Sequence, residues 1–403
     1  MEKRKLNILG IGIILFFVLI GMSFPNTSMA ATKTLHIGYL GQMTGWFSVH
    51  DIQDAKEIQI IADYINEKGG ITVNGQRYNI EIEIEDGKSS FDGVSAAANK
   101  LAYDDKVKFV IGPNAFFSLA AGPIFNPAKV LYIEGFNTLQ PGELDKTTPY
   151  AFTGYNGSLG QSYAVIKYLK QAWPAVKKVA FIHPDDGAIS HSGKYFRKTL
   201  ADNGLVMVGD IIAYANETTD FNPIATKLLS MDIDAVVHIN GIAPHVGGIV
   251  RGLREAGNTE PYAAGVLESV ESIRSIAGKT ATMNLFTYAI MPGAKGNPPL
   301  MAEMVQRVVA KTGSNVAVYL QGANSLWILK EVIEAANSFD PSAVKDKWQT
   351  LDTVETLYGT GLMGGAETYG IANHALSHPQ PMQIIREDGI IRFGGIVQPV
   401  RIP

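Results

Sequence analysis

Polar, aromatic and aliphatic residues follow the ends of several strand-like segments of this sequence. In the first half they are Trp46, Phe47, His50, Asn114, Ala115, Phe116, Phe136, Asn137 and Thr138. In the second half they are Asp186, Ala188, Asn240, Ile242, Leu267 and Glu268. Flat apolar surfaces beside a few hydrogen-bonding groups suit the binding of a small organic molecule. We therefore predict a ligand-binding site here. The alternative is that the aromatic residues only pack an interface within the protein.

The residue combinations that catalysis needs are missing from the sequence. There is no cysteine and no GxSxG motif to supply a nucleophile. Asp185 and Asp186 are adjacent, so their side chains would point apart at a strand end and make a poor acid and base pair. Capping of the following helix is their expected role. We predict that the protein is not an enzyme, and an exported enzyme is the less favoured alternative.

Two further patterns resemble cofactor or metal sites but lack the required context. Gly359, Gly361 and Gly364 satisfy GxGxxG, yet no βαβ strand precedes them and no helical period follows. His374 and His378 are four residues apart, but Pro379 argues against a helix that presents both to a metal ion. We therefore expect no cofactor and no metal ion.

Strand-like and helical segments alternate along the first half of the chain. Strand-like segments cover residues 35–40, 80–84, 107–111 and 130–133, and helical periodicity covers 51–68, 93–102 and 119–125. Such alternation predicts a parallel sheet with helices on both faces. Ligands of these sheets bind at the carboxyl ends of the strands, where the predicted site residues lie.

The same alternation begins again in the second half. Strand-like segments cover 179–182, 206–213, 235–239 and 262–264, and helical segments cover 160–172, 195–203, 221–229 and 246–256. The chain is also longer than one ordinary hydrophobic core requires. We therefore predict an α/β protein with two similar lobes, each built on a doubly wound parallel sheet.

A set of motifs runs through nearly the whole chain after residue 33. Residues 37–45, the INEKGGI string within 63–71, residues 97–101 and the Ile-Gly-Pro string within 110–113 occur in order, and residues 221–228 and 275–278 continue the pattern. Together they resemble the leucine/isoleucine/valine-binding protein family. Its members are the type I substrate-binding proteins of ABC importers.

The resemblance implies two lobes that close like a hinge on a ligand and are joined by three crossings, near residues 150–153, 288–292 and 359–365. The N-terminal lobe would comprise residues 31–152 plus 289–361, and the C-terminal lobe 153–288 plus 362–403. The implied protein is a monomer that delivers a small solute to permease subunits in the inner membrane. A ligand-sensing module of the same fold is the alternative.

The predicted site departs from the amino-acid-binding members of that family. Those typically hold the ligand carboxylate with a serine or threonine after the third strand, and its ammonium with an acidic residue of the second lobe. Here Asn114, Ala115 and Phe116 follow the third strand, and only Glu268 offers the acidic group. A ring adds a stacking surface and removes a charge-assisted contact. We expect an aromatic or other organic carboxylate, with a branched-chain or other amino acid as the alternative.

The first 30 residues have the layout of a secretory signal peptide. Lys3, Arg4 and Lys5 precede an uncharged apolar stretch, and small residues around Ala30 would permit cleavage. The apolar part is shorter than the ~20 residues of a membrane-spanning helix, which disfavours an uncleaved anchor. We predict a periplasmic protein that begins near Ala31. The full chain has a net charge of −4, and loss of residues 1–30, with a net charge of +2, would make it −6; this charge and the lack of a basic run in the remaining chain argue against binding to nucleic acid.

Overall fold

The computed structural model describes residues 33–185, 187, 189–314 and 318–403, without the side chain of Phe116. The predicted signal peptide, residues 1–30, and the predicted site residues Asp186 and Ala188 lie outside the described residues.

The first half of the described chain forms a six-stranded sheet. Its strands are β1 (Lys33–Gly41), β2 (Ile71–Val73), β3 (Gln76–Asp86), β4 (Phe109–Ile111), β5 (Leu131–Glu134) and β6 (Ala151–Thr153). They are ordered β2-β3-β1-β4-β5-β6, and every pair except β2 with β3 is parallel. Asn74 and Gly75 both have positive φ and form the tight turn between β2 and β3. The helices are α1 (Ser48–Glu67), α2 (Phe91–Asn99) and α3 (Ser118–Ala128).

A second large sheet follows. Its first strands are β7 (Lys178–Pro184), β8 (Val206–Met207), β9 (Ile212–Tyr214), β10 (Ala235–Ile239), β11 (Tyr262–Gly265) and β12 (Leu285–Thr287), and all of their pairings are parallel. Two later strands, β16 (Gln380–Ile385) and β17 (Ile391–Val397), extend the sheet in antiparallel fashion next to β12. Its helices are α4 (Ser158–Ala172), α5 (Ile189–Asp202), α6 (Asn222–Leu229), α7 (Ala243–Glu255) and α8 (Val270–Ala277).

Between β12 and β16 the chain forms three helices and a small antiparallel sheet. The helices are α9 (Pro299–Thr312), α10 (Gln321–Ala336) and α11 (Pro341–Gln349), and the strands are β13 (Thr353–Thr356), β14 (Gly359–Gly364) and β15 (Ala375–Ser377). Helix α10 packs against α1 and β2 of the first sheet. The GxGxxG string is strand β14 and is paired on both sides, so it does not form a phosphate-binding loop.

Three links connect the two large sheets, and hydrogen bonds join the three links to one another. The first link follows β6, the second follows β12 and the third lies between β15 and β16. The side-chain amide of Asn156 in the first link donates to the carbonyl oxygen of His378 in the third, at 3.2 Å. The side-chain amide of Gln380, the first residue of β16 after the third link, donates to the carbonyl oxygen of Tyr288 in the second link, at 3.0 Å. A hinge motion would therefore be centred on this point.

The predicted fold class is confirmed: each large sheet is doubly wound, and three crossings join them. One predicted strand was wrong, because the segment 206–213 forms two short strands, β8 and β9, separated by a turn in which Gly209 has a φ of 69°. The residue boundaries of the two lobes remain a prediction, and we change one of them. A boundary after residue 361 would cut β14, so we propose that the N-terminal lobe extends to the third link, at residues 378–379.

Within the described residues, none of the helices combines the length and the apolar character that crossing a bilayer requires.

Candidate functional site

A cavity of about 330 Å³ lies where the carboxyl ends of the two large sheets face each other. Eight of the predicted site residues line it: Trp46, Phe47, His50, Phe136, Asn240, Ile242, Leu267 and Glu268. They follow β1, β5, β10 and β11, which is where ligands of doubly wound sheets bind.

The strand-end argument missed six residues of the cavity wall: Val49, Gln161, Gly241, Pro244, Tyr288 and Tyr319. Gln161 is in the first turn of α4 and Tyr319 lies two residues before α10, so neither follows a strand. Tyr288 belongs to a predicted crossing, and its place at the hinge is the signal that could have identified it.

Four predicted site residues lie outside the cavity wall because other groups occupy their side chains or backbone. Asn114 donates to Asp51 at 2.8 Å, and Thr138 donates from its hydroxyl to Glu143 at 2.7 Å. Asn137 accepts from the Tyr369 hydroxyl at 3.0 Å. Ala115 is buried and donates from its backbone to the carbonyl oxygen of Phe136 at 3.0 Å. These residues support the residues that line the cavity.

Aromatic rings form much of the wall on the side of the first sheet. Trp46 and Phe47 meet edge to face with ring centroids 5.3 Å apart, and Phe47 meets Phe117 in the same manner at 5.9 Å. Tyr319 stacks on His50 with the centroids 4.9 Å apart and the planes 14° apart. A flat apolar ligand could contact both the faces and the edges of these aromatic rings.

His50 is the cationic group of the cavity. Its Nδ1 lies 2.9 Å from Asp51 Oδ1, and its Nε2 is buried without a hydrogen-bond partner. Burial alone would lower the pKa of His50. The hydrogen bond to Asp51 and the charges of Asp51, Asp54 and Glu268 outweigh that effect and raise the pKa to about 9. The imidazolium at neutral pH therefore offers an N–H donor to the cavity.

Glu268 provides the acidic group on the opposite side. Burial raises its pKa, while the backbone N–H groups of Glu268 and of Ala243, the first residue of α7, lower it, as does the charge of His50. The cavity therefore contains one cationic group, His50, and one carboxyl group, Glu268, whose negative charge is partly stabilised by neighbouring N–H groups and by His50.

Two amide oxygens of the cavity wall have no partner. Gln161 is 2% exposed and donates from Nε2 to the carbonyl oxygen of Asn156 at 2.9 Å, which leaves its Oε1 unpaired. Asn240 donates from Nδ2 to the hydroxyl of Ser158 at 2.6 Å, which leaves its Oδ1 unpaired. Because these bonds set the orientation of both amides, the free atoms are hydrogen-bond acceptors.

The loop that carries Asn240 lies beside a buried network of hydrogen bonds between side chains. The hydroxyl of Tyr214 lies 2.7 Å from His238 Nε2 and 3.0 Å from His245 Nδ1. His238 Nδ1 lies 2.8 Å from the hydroxyl of Tyr262. Burial and the neighbouring histidines lower the pKa of His238, so the side chain of His238 is uncharged within this hydrogen-bond network. A Cβ on Gly241 would lie 2.5 Å from the His238 ring, so the loop passes close to this network.

Metal ligation has no support in the described part of the chain, where no group of three or more His, Cys, Asp or Glu side chains is gathered for it. His374 lies 2.8 Å from the amide of Gln349, and His378 packs its ring on Tyr358 with centroids 4.3 Å apart. Burial lowers the pKa of both histidines, to about 4 and about 3. Both are packing residues near the links.

Comparisons with known proteins agree with this geometry. Residues 34–388 match the family model described as periplasmic binding protein. The Leu/Ile/Val-binding protein homolog 1 of Brucella suis is 26% identical over 79% of this chain and 82% of its own length.

Solved structures show the same fold. A branched-chain amino acid transporter substrate binding protein from Streptococcus pneumoniae, in complex with isoleucine, has a TM-score of 0.71 at 20% identity and covers 91% of this chain and 100% of its own. A solute binding protein of an ABC transporter from Rhodopseudomonas palustris, in complex with 3,4-dihydroxybenzoic acid, has a TM-score of 0.69 at 18% identity and covers 91% of this chain and 97% of its own.

The family and the fold are those of solute-binding proteins. Since the family model spans most of the sequence and the two-sheet architecture matches, the chain belongs to the periplasmic binding protein family, in its type I, leucine/isoleucine/valine-binding group.

Proposed function

We propose that this protein is the solute-binding component of an ABC importer and that its cleft captures a small organic carboxylate with an aromatic or other flat apolar body. The observation that carries the ligand class is the placement of His50 in an aromatic-lined cavity, with a buried, unpartnered Nε2 and a raised pKa. A carboxylate accepts a charge-assisted hydrogen bond from such a group. The apolar body of the ligand would contact Trp46, Phe47 and Tyr319.

The unpaired acceptors Gln161 Oε1 and Asn240 Oδ1 extend the proposal to the rest of the ligand. Buried acceptors are costly when they are left unpaired, so a ligand with hydroxyl or N–H donors would satisfy them. The Rhodopseudomonas palustris neighbour holds 3,4-dihydroxybenzoic acid, a compound with one carboxylate and two hydroxyl donors. A hydroxylated aromatic acid therefore offers an acceptor to His50 and donors to both unpaired amide oxygens.

Glu268 favours a second candidate, a branched-chain or other amino acid. An α-ammonium would lie against the Glu268 carboxylate while His50 holds the α-carboxylate. The Brucella relative and the isoleucine complex from Streptococcus pneumoniae are consistent with this candidate. The backbone N–H groups of Glu268 itself and of Ala243 at the start of α7 partly compensate the Glu268 carboxylate, which makes it a weaker partner for an ammonium group.

Isothermal titration calorimetry with 3,4-dihydroxybenzoate, benzoate and isoleucine distinguishes the two candidates. We expect both aromatic acids to bind more tightly than isoleucine. Each hydroxyl that reaches an unpaired acceptor contributes about 0.5–1.5 kcal/mol, so the two hydroxyls of dihydroxybenzoate should make it bind about 5- to 150-fold more tightly than benzoate. A Gln161→Leu variant should reduce that difference. Tight isoleucine binding that a Glu268→Gln variant abolishes would establish the amino-acid candidate instead.

We also propose that the protein is exported to the periplasm and works there with permease subunits of the inner membrane. The family supports this location, since its members are periplasmic binding proteins. Mass spectrometry of the protein from its own cells should find a mature chain that begins at or near Ala31. A chain that retains residues 1–30 would contradict the proposed cleavage.

A further inference from the structure

Helix α1 carries three carboxylates on the face that it turns toward the protein interior. Asp51, Asp54 and Glu57 are three residues apart, so they lie along one side of the helix. Each is at most 1% exposed. A buried carboxylate is strongly destabilising unless hydrogen bonds surround it. The partners of these three therefore indicate what the acidic face stabilises.

Asp51 accepts from three groups. The backbone N–H of Gln42 lies 2.6 Å from Oδ2, and the side-chain amide of Asn114 lies 2.8 Å from Oδ1. The third partner is Nδ1 of His50, at 2.9 Å from Oδ1. Because this bond occupies Nδ1, the ring of His50 is fixed with its other nitrogen free in the cavity wall.

Glu57 and Asp54 hold the start of α10. Glu57 accepts from the backbone N–H of Tyr319 at 3.1 Å and from that of Leu320 at 2.5 Å, and Asp54 accepts from the N–H of Gly322 at 2.7 Å. Leu320 has a φ of 53°, a left-handed conformation that costs a residue with a side chain about 1–2 kcal/mol. The two carboxyl groups stabilise this turn through their oxygen atoms, and Tyr319 is the residue that the turn presents to the cavity.

We propose that Asp51 and Glu57 are positioning residues of the ligand site: Asp51 orients His50 as a cation, and Glu57 holds Tyr319 against it. The inference rests on the proposed function and adds that this wall is formed before a ligand arrives. Binding to a wall that is already ordered avoids the entropy of ordering it. The charged and titratable groups that face His50 are Asp51 and Asp54 of α1, Glu268 after β11 and Tyr319 before α10.

Histidine NMR of the ligand-free protein tests the proposal without any knowledge of the solute. Loss of one signal in a His50→Gln variant assigns His50. Its titration in the parent protein should have a midpoint of about 9. The Asp51→Asn variant should lower that midpoint by about 1–3 pH units, the effect of removing a close opposite charge. A purely structural role for Asp51 would leave the midpoint unchanged.

The Glu57→Leu variant separates the two positioning roles. Leucine offers no acceptor to the N–H groups of Tyr319 and Leu320, which both approach Oε2 of Glu57, so Tyr319 should leave its stacked position. The ring-current shift of the His50 protons should then fall toward its value in Tyr319→Leu, while the His50 midpoint remains near that of the parent. Glu57 is not among the charges that raise the pKa of His50.

Asp234 provides the matched control. It accepts from the backbone N–H groups of Lys177 and Lys178 at 2.8 Å each, at the amino ends of β7 and β10, away from the cleft. Asp234→Asn should leave the titration midpoint of His50 and the ring-current shift of the His50 protons unchanged. An unchanged His50 midpoint in folded Asp51→Asn overturns the proposal. So does a parent midpoint near the ordinary 6.5, even where Asp51→Asn does not fold. Failure of every carboxylate to bind, with these NMR results intact, would contradict the proposed function alone.

Discussion

A His50→Gln variant should bind the preferred carboxylate of the calorimetry panel about 10- to 100-fold more weakly than the parent protein at neutral pH. A hydrogen bond to a charged group contributes about 1.5–3 kcal/mol, and each 1.4 kcal/mol changes affinity tenfold. Glutamine keeps a donor of similar reach but loses the charge. His36→Gln is the matched control, because His36 is in the exposed first half of β1 and pairs with Glu83. Equal affinities in the parent and His50→Gln would remove the carboxylate from the proposal.

The same interaction predicts a pH dependence of known sign. The pKa of His50 is raised from the ordinary 6.5 to about 9, so the cation is present below that value and is lost as the pH rises through it. Carboxylate affinity should fall over this range in the parent and remain flat in His50→Gln. Stability follows the same direction, because the contribution of His50 to the unfolding free energy is complete below 6.5 and disappears by about 9. Burial also raises the pKa of Asp54 from 3.8 to about 6 and that of Glu57 from 4.5 to about 8, so each lowers stability as the pH rises between its two values, and only the Glu57 window overlaps that of His50.

Eight residues predicted from the sequence line one cavity because one rule of sheet geometry controls their position. The carboxyl ends of parallel strands meet at one edge, so residues that follow different strands come together. Phe136 and Glu268 are more than a hundred residues apart, yet both line the cavity. The rule fails for Gln161, in the first turn of α4, and for Tyr319, two residues before α10. Helix starts approach a cleft only through the packing of whole elements, and local periodicity contains no information on that packing.

The acidic face of α1 shows a second limit. Asp51 and Asp54 continue the spacing of Ile58, Ile61 and Ile65, so they lie on the apolar, buried side of the helix. Their burial depends on the N–H groups of Gln42 and Gly322, which come from distant parts of the chain. Charge alone predicts exposure for such residues. Only tertiary partners make their burial tolerable.

A Trp348→Ala variant should lower the free energy of unfolding by about 3–5 kcal/mol, the cost of removing a large buried ring. Trp348 of α11 is fully buried and stacks on Phe152 of β6, with ring centroids 4.3 Å apart. Phe152 in turn stacks on His374 at 4.0 Å. Removal of the indole would leave a cavity beside the last residues of the first sheet, directly before the first link.

Urea denaturation of the ligand-free protein measures this effect, and Trp173→Ala is the control because it makes the same substitution at a partly exposed site. Trp173 packs on Arg386 at 4.2 Å and should lose less stability than Trp348. Equal losses in the two variants would mean that the stack of Trp348, Phe152 and His374 relaxes to fill the space. The end of β6 would then be held by its hydrogen bonds, such as the one from the Thr153 N–H to the His374 carbonyl oxygen at 2.9 Å, rather than by ring packing.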